Sequence, residues 1–164
     1  MIRAGILFCS ALAVAAASFA SPAATGPAPS AQYIEISGYL RDEAQINAWY
    51  EMRYHLGRNF DDICGDTFCE GDYSNIEDLR FGCSVESNSG VLGQCVWTFA
   101  ASNEEVDVAT GRIVVTPKVW RCRVPLARKT SVESLLGALA GERPLYATLP
   151  GTTRSIYDGL TDCL

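Results

Sequence analysis

The chain has 164 residues, with 13 Lys or Arg against 19 Asp or Glu and a single histidine, for a net charge of −6 at neutral pH. That balance argues against nucleic-acid binding, which needs a basic surface. The length is enough for one domain with its own core.

The first residues do not belong to that domain. Arg3 gives a short basic region, and Ala4–Ala17 is an apolar run. Ser18-Phe19-Ala20 then supplies the small residues of a cleavage site, with Pro22 just beyond. This predicts a secretory signal peptide over residues 1–20. The apolar run is shorter than the roughly 20 residues of a spanning helix. Residues 21–31 read as a flexible leader rich in Pro, Ala and Ser, and residues 32–164 as a single disulfide-bonded α+β domain. Nothing after the leader is long or apolar enough to cross a membrane. The destination is periplasmic or extracellular.

Loss of the leader removes Cys9 and leaves six cysteines: Cys64, Cys69, Cys83, Cys95, Cys122 and Cys163. An even count in an exported chain points to three disulfides, whose pairing the cysteine count leaves open. Zinc is disfavoured, because no Cys-x2-Cys pair occurs and there is one histidine.

The domain begins with a helix. Asp42 and Gln45 form a start signal related to the capping box. Ile46, Trp49, Tyr50, Arg53, Leu56 and Phe60 recur at helical spacing. The pattern predicts a helix from Asp42 to Gly57 that buries Ile46, Trp49 and Leu56 and stops at the glycine.

An acidic segment follows. Asp61–Asp78 holds seven of the 19 acidic residues and no Lys or Arg. Without Arg3, twelve basic residues balance the twelve acids elsewhere, so this segment is the source of all the net charge. Cys64 and Cys69 enclose Gly65-Asp66-Thr67-Phe68, and a local bridge would hold a tight loop with Phe68 at its tip.

Three strands come next. Arg80–Glu86 alternates, with Phe81, Cys83 and Val85 on one face. Val91–Ala101 alternates again, with Cys95, Trp97 and Phe99 together, and Arg112–Val124 places Trp120, Cys122 and Val124 opposite Arg121 and Arg123. Turn signals at Ser87–Gly90 and Thr110-Gly111 make this a three-stranded antiparallel meander with one buried face. Turns at those positions set Trp97 opposite Cys122 and Phe99 opposite Trp120, and bring Cys83 close to Cys95. Thr130-Ser131-Val132-Glu133 reads as a capping box opening a helix that buries Val132, Leu135, Leu136 and Leu139 and ends at Gly141. Ile156, Tyr157 and Leu160 mark a last short helix whose Cys163 ties the C-terminus to the sheet. The expected fold is α+β: an N-terminal helix, the meander and C-terminal helices, stabilised by disulfides.

The acidic segment is the candidate site. Asp61, Asp62, Asp66, Phe68, Glu70 and Asp72 are the residues that would meet a partner. Asp62, Asp66, Glu70 and Asp72 are the candidate ligands if the loop holds calcium, the one cofactor its oxygens suit. The alternating Asp spacing of an EF-hand is absent. A glycosidase-type carboxylate pair needs one acid in an apolar pocket, and no such pocket is legible. His55, at the end of the first helix, has no companion for nucleophilic catalysis, and no catalytic residue is assigned. Lys118, Arg121, Arg123, Arg128 and Lys129 form a basic cluster, read as a solvated face or as internal partners of the acids. Trp97 and Trp120 read as core rather than as a sugar platform.

In size alone, Cys64-Gly65-Asp66-Thr67-Phe68-Cys69 resembles the disulfide-bracketed loop that periplasmic inhibitors of vertebrate lysozyme present to a basic enzyme. It lacks the histidine those loops carry, and the likeness covers six residues. What it implies is a mode of action: a non-catalytic exported binding protein, of inhibitor or immunity type, docking a basic extracytoplasmic partner through the acidic loop with Phe68 as apolar anchor. The alternatives are a calcium-stabilised structural domain and a secreted carboxylate-dependent hydrolase.

Overall fold

A computed structural model describes residues 31–164. The predicted signal peptide, and the leader except its last residue, lie outside the described residues. The elements run β1 (Tyr33–Glu35), α1 (Ile36–Tyr39), α2 (Glu43–Ile63), β2 (Glu77–Glu86), β3 (Leu92–Val106), β4 (Ile113–Arg123), α3 (Val132–Ala138) and α4 (Ile156–Thr161). The strands form one antiparallel sheet in the order β1-β2-β3-β4.

The α+β class and the disulfides are as the sequence predicts, but the sheet has four strands rather than three. The added strand, β1, pairs Tyr33 with Glu86, Ile34 with Val85 and Glu35 with Ser84. Its three side chains are all exposed, so no alternation marks it. It is held by backbone pairing, extended by the Ser87 N–H donating to the Gln32 carbonyl at 2.8 Å.

The first predicted helix is α2, preceded by the single turn α1. Asp42 caps α2, its carboxylate accepting from the Ala44 N–H at 2.7 Å. The helix passes through Gly57 and runs on to Ile63, so the predicted stop is corrected. An interior glycine costs only about 1 kcal/mol relative to alanine. The continuation brings Phe60 into the core, 4.7 Å from Phe99 and 5.8 Å from Trp97 between ring centroids. Trp49, Met52 and Leu56 are buried on the same side, whereas Ile46 is only half-buried.

The meander register follows the sequence reading. Cys83 faces Cys95, Trp97 faces Cys122, and Phe99 faces Trp120. These side chains, with Phe81 and Val85, form the buried face that α2 covers. The disulfides are Cys64–Cys69, Cys83–Cys95 and Cys122–Cys163. The last one closes the C-terminus onto β4. The strands outrun their predicted bounds: β2 begins at Glu77, inside the acidic segment, and β3 continues to Val106. Val132, Leu135, Leu136 and Leu139 are buried as the α3 pattern requires. The capping box sits one residue later than predicted: Ser131 and Ser134 exchange the bonds, while Thr130 turns inward and donates to the Ala127 carbonyl at 2.8 Å.

Candidate functional site

Asp61 and Asp62 stand on the last turn of α2, which contains no basic residue. Unpaired carbonyls make a helix C-terminus partially negative, so carboxylates there are disfavoured by about 0.3–1 kcal/mol each. Neither acid has an ion-pair or hydrogen-bond partner among the described residues to offset that cost.

The chain then tightens into one π-type turn, Cys64–Phe68, closed by the Cys64–Cys69 bridge and by the Cys69 N–H donating to the Cys64 carbonyl at 2.6 Å. Phe68 is not at an exposed tip. It is half-buried, stacked on Phe60 at 6.3 Å and facing Tyr157 at 5.9 Å. The sequence reading expected an apolar residue offered to a partner, but the aromatic cluster beneath the turn draws this ring inward. Cys69 and Ile76 are buried, and Tyr73 sits edge-on to Trp120 at 5.7 Å. Asn75 and Ser102 exchange two hydrogen bonds of 3.1 and 3.0 Å. The segment is therefore pinned at Phe68, Cys69, Tyr73, Asn75 and Ile76. Between these anchors Asp61, Asp62, Asp66, Glu70 and Asp72 are all exposed. Of the two remaining acids, Asp78 accepts a bond from the Trp97 indole at 3.4 Å and helps fix β2 against β3.

The acids do not converge. Among the described residues, no three His, Cys, Asp or Glu side chains gather closely enough to hold a metal ion. Asp62, Asp66, Glu70 and Asp72 thus form no coordination shell. Nor does the basic cluster neutralise them: the ion pairs among the described residues are Arg80–Glu35 and Arg154–Asp162. Lys118 instead lies over the rings of Tyr73 and Trp120, at 5.0 and 4.6 Å.

A shallow groove runs beside the C-terminal half of α2. Its two adjoining hollows, of about 230 and 350 Å³, share Asn59, Asp62 and Glu142. The Asn59 amide donates to the Glu142 carbonyl at 3.0 Å and holds that loop to the helix. His55, Arg58 and Arg143 also line the groove, and both carboxylates are exposed. Acid–base chemistry on a glycosidic bond needs one carboxyl kept protonated by burial, and this groove buries neither.

The structure adds two residues to the site. Tyr50 and Tyr54 are exposed, at 55 and 61 %. With Asp61 they occupy positions i, i+4 and i+11 of α2, one stripe about 16 Å long. In the sequence Tyr50 belongs to the helical spacing but not to the residues expected to be buried, and Tyr54 is not singled out.

Fold and surface together define a class: a disulfide-cross-linked α+β domain, its helix packed on one face of an antiparallel sheet, with an acidic edge whose five exposed acids have no ion-pair partner among the described residues. No protein-family profile, no curated protein and no solved structure matches the chain. No helix among the described residues is long and apolar enough to cross a membrane.

Proposed function

We propose that this chain is an exported, non-catalytic binding protein of inhibitor or immunity type, and that it presents Asp61, Asp62, Asp66, Glu70 and Asp72 to a basic extracytoplasmic protein. The observation that carries this reading is that five exposed carboxylates stand without ion-pair partners among the described residues, on a segment fixed by a disulfide and an aromatic cluster. Three disulfides suit the oxidising compartment that export implies. A charged surface of one sign speeds encounter with its opposite, and holding it rigid reduces the ordering cost of docking. Tyr50 and Tyr54 supply the large, low-entropy contact area that binding hot spots favour. Phe68 acts from beneath, holding the acidic turn in place.

Affinity capture from extracellular and periplasmic extracts tests the proposal. The intact domain should retain a basic protein that a variant carrying D61N, D62N, D66N, E70Q and D72N does not. Equal capture by both baits would sink it.

A further inference from the structure

Beside the C-terminal end of β4 lies a hollow of about 660 Å³, larger than either hollow of the acidic groove. Arg121 and Arg123 line it from the strand, Arg154 from the segment before α4, and Asp162 from the residue after α4. Val124, Pro125 and Leu126 give it an apolar wall. Three arginines against one carboxylate leave two positive charges in excess. In a chain of net charge −6, this is a local reversal of sign.

The walls are fixed. The Cys122–Cys163 bridge ties the end of α4 to β4. Gly159 lets the helix come close: a Cβ there would stand 2.9 Å from the Arg123 carbonyl oxygen and 3.0 Å from Pro125 Cδ. Arg154 is held by its Nη2, which donates to the Asp158 carbonyl at 3.0 Å and pairs with the Asp162 carboxylate. Its Nε and Nη1 have no hydrogen-bond partner among the described residues. Arg121 and Arg123 are exposed, and neither side chain has an ion-pair partner among the described residues. The bond from the Val124 N–H to the Cys95 carbonyl sets the phase of the β3–β4 ladder. The backbone N–H groups of Arg121 and Arg123 therefore point out of the sheet at the free edge of β4. Guanidinium forks and free N–H groups are the donors that an oxyanion takes.

We propose that this hollow binds a phosphate dianion, either as inorganic phosphate or as the phosphomonoester headgroup of a lipid. Such a group carries roughly 1.5–2 negative charges at neutral pH, which matches the two-charge excess. Arg121 and Arg123 donate to it directly. Arg154, already oriented by Asp158 and Asp162, offers its remaining N–H groups without further ordering. An added peptide strand is the poorer occupant. Pro117 has no N–H to give on the free edge, and α4 abuts the Arg123 carbonyl, so only a short row lies open between them. The site shares no residue with the acidic segment, so it stands independently of the docking surface proposed there.

Amide NMR on the disulfide-intact protein tests this. Inorganic phosphate, titrated at constant ionic strength with chloride as the control, should shift the Arg121, Arg123 and Gly159 resonances saturably. R121Q/R123Q removes two guanidinium groups that hold nothing in the fold and should raise the phosphate dissociation constant about tenfold or more. D162N releases Arg154 from its carboxylate and should lower that constant. No saturable shift, a titration indifferent to R121Q/R123Q, or weaker binding by D162N would each overturn the proposal. Sedimentation with phosphatidylcholine vesicles containing phosphatidic acid separates the two sources. Co-sedimentation that R121Q/R123Q abolishes assigns the lipid headgroup, and phosphate binding without co-sedimentation assigns the soluble anion.

Discussion

Replacing Asp61 and Asp62 with asparagine should stabilise the protein while weakening its binding. Both acids sit on the final turn of α2, exposed and without an ion-pair partner among the described residues. Asparagine has nearly the same helix propensity and shape, so the change removes charge and little else. Each carboxylate opposes the helix dipole by about 0.3–1 kcal/mol at low ionic strength, so the double variant should gain about 0.5–2 kcal/mol. For a domain of this size that raises Tm by about 2–7 °C. The gain should shrink with added salt, because exposed charges are screened over about 10 Å at 0.1 M. Thermal unfolding by circular dichroism at two salt concentrations measures both effects. A D61N/D62N protein less stable than wild type would refute the reasoning, since it would mean that the acids hold the fold together.

Phe68→Ala should cost about 1–2 kcal/mol in chemical denaturation, below the roughly 3–5 kcal/mol of a fully buried phenylalanine; no loss would restore Phe68 as an exposed anchor. Millimolar calcium should leave Tm unchanged, because the acids do not gather; a rise reversed by chelator would return the loop to the calcium reading. Backbone and side-chain hydrogen bonds from Ser155 hold the Asp158 carboxyl below the usual range. The unfolded chain therefore takes up that proton first. The stability this group contributes is complete above roughly pH 3.9 and is lost as the pH falls through the lower folded value. Asp158→Asn should show a shallower fall in denaturation midpoint on acidification than wild type, and an equal fall would contradict the assignment.

Much of the sheet was legible because its signals are dense. Trp97, Phe99, Trp120 and Cys122 alternate strictly, and turn residues at Ser87–Gly90 and Thr110-Gly111 leave little freedom in register. The same register brought Cys83 close to Cys95, although the pairing of the six cysteines stayed open, and the tie from Cys163 to the sheet was read from the short last helix. The strand β1 was not legible: three exposed residues carry no pattern, and their pairing is a backbone matter. Gly57 misled because a helix stop and a tolerated interior glycine look alike locally; the burial of Phe60 decides between them. At the site, the sequence located the acids and the small bridged turn. It placed Phe68 outward because nothing local reveals Phe60 and Tyr157 beneath it, and it took Tyr50 only as part of the helical spacing while passing over Tyr54. The far end of β3 escaped for a related reason: from Glu104 to Val106 every residue is exposed, so the alternation that marks a half-buried strand fades.

The association rate of the captured basic protein, measured against ionic strength, tests the central claim most directly. With the wild-type domain it should fall about tenfold or more between low and physiological salt. With the five-acid variant it should be slow and nearly flat. Equal rates and equal salt dependence for the two proteins would contradict the claim that this acidic edge is the docking surface.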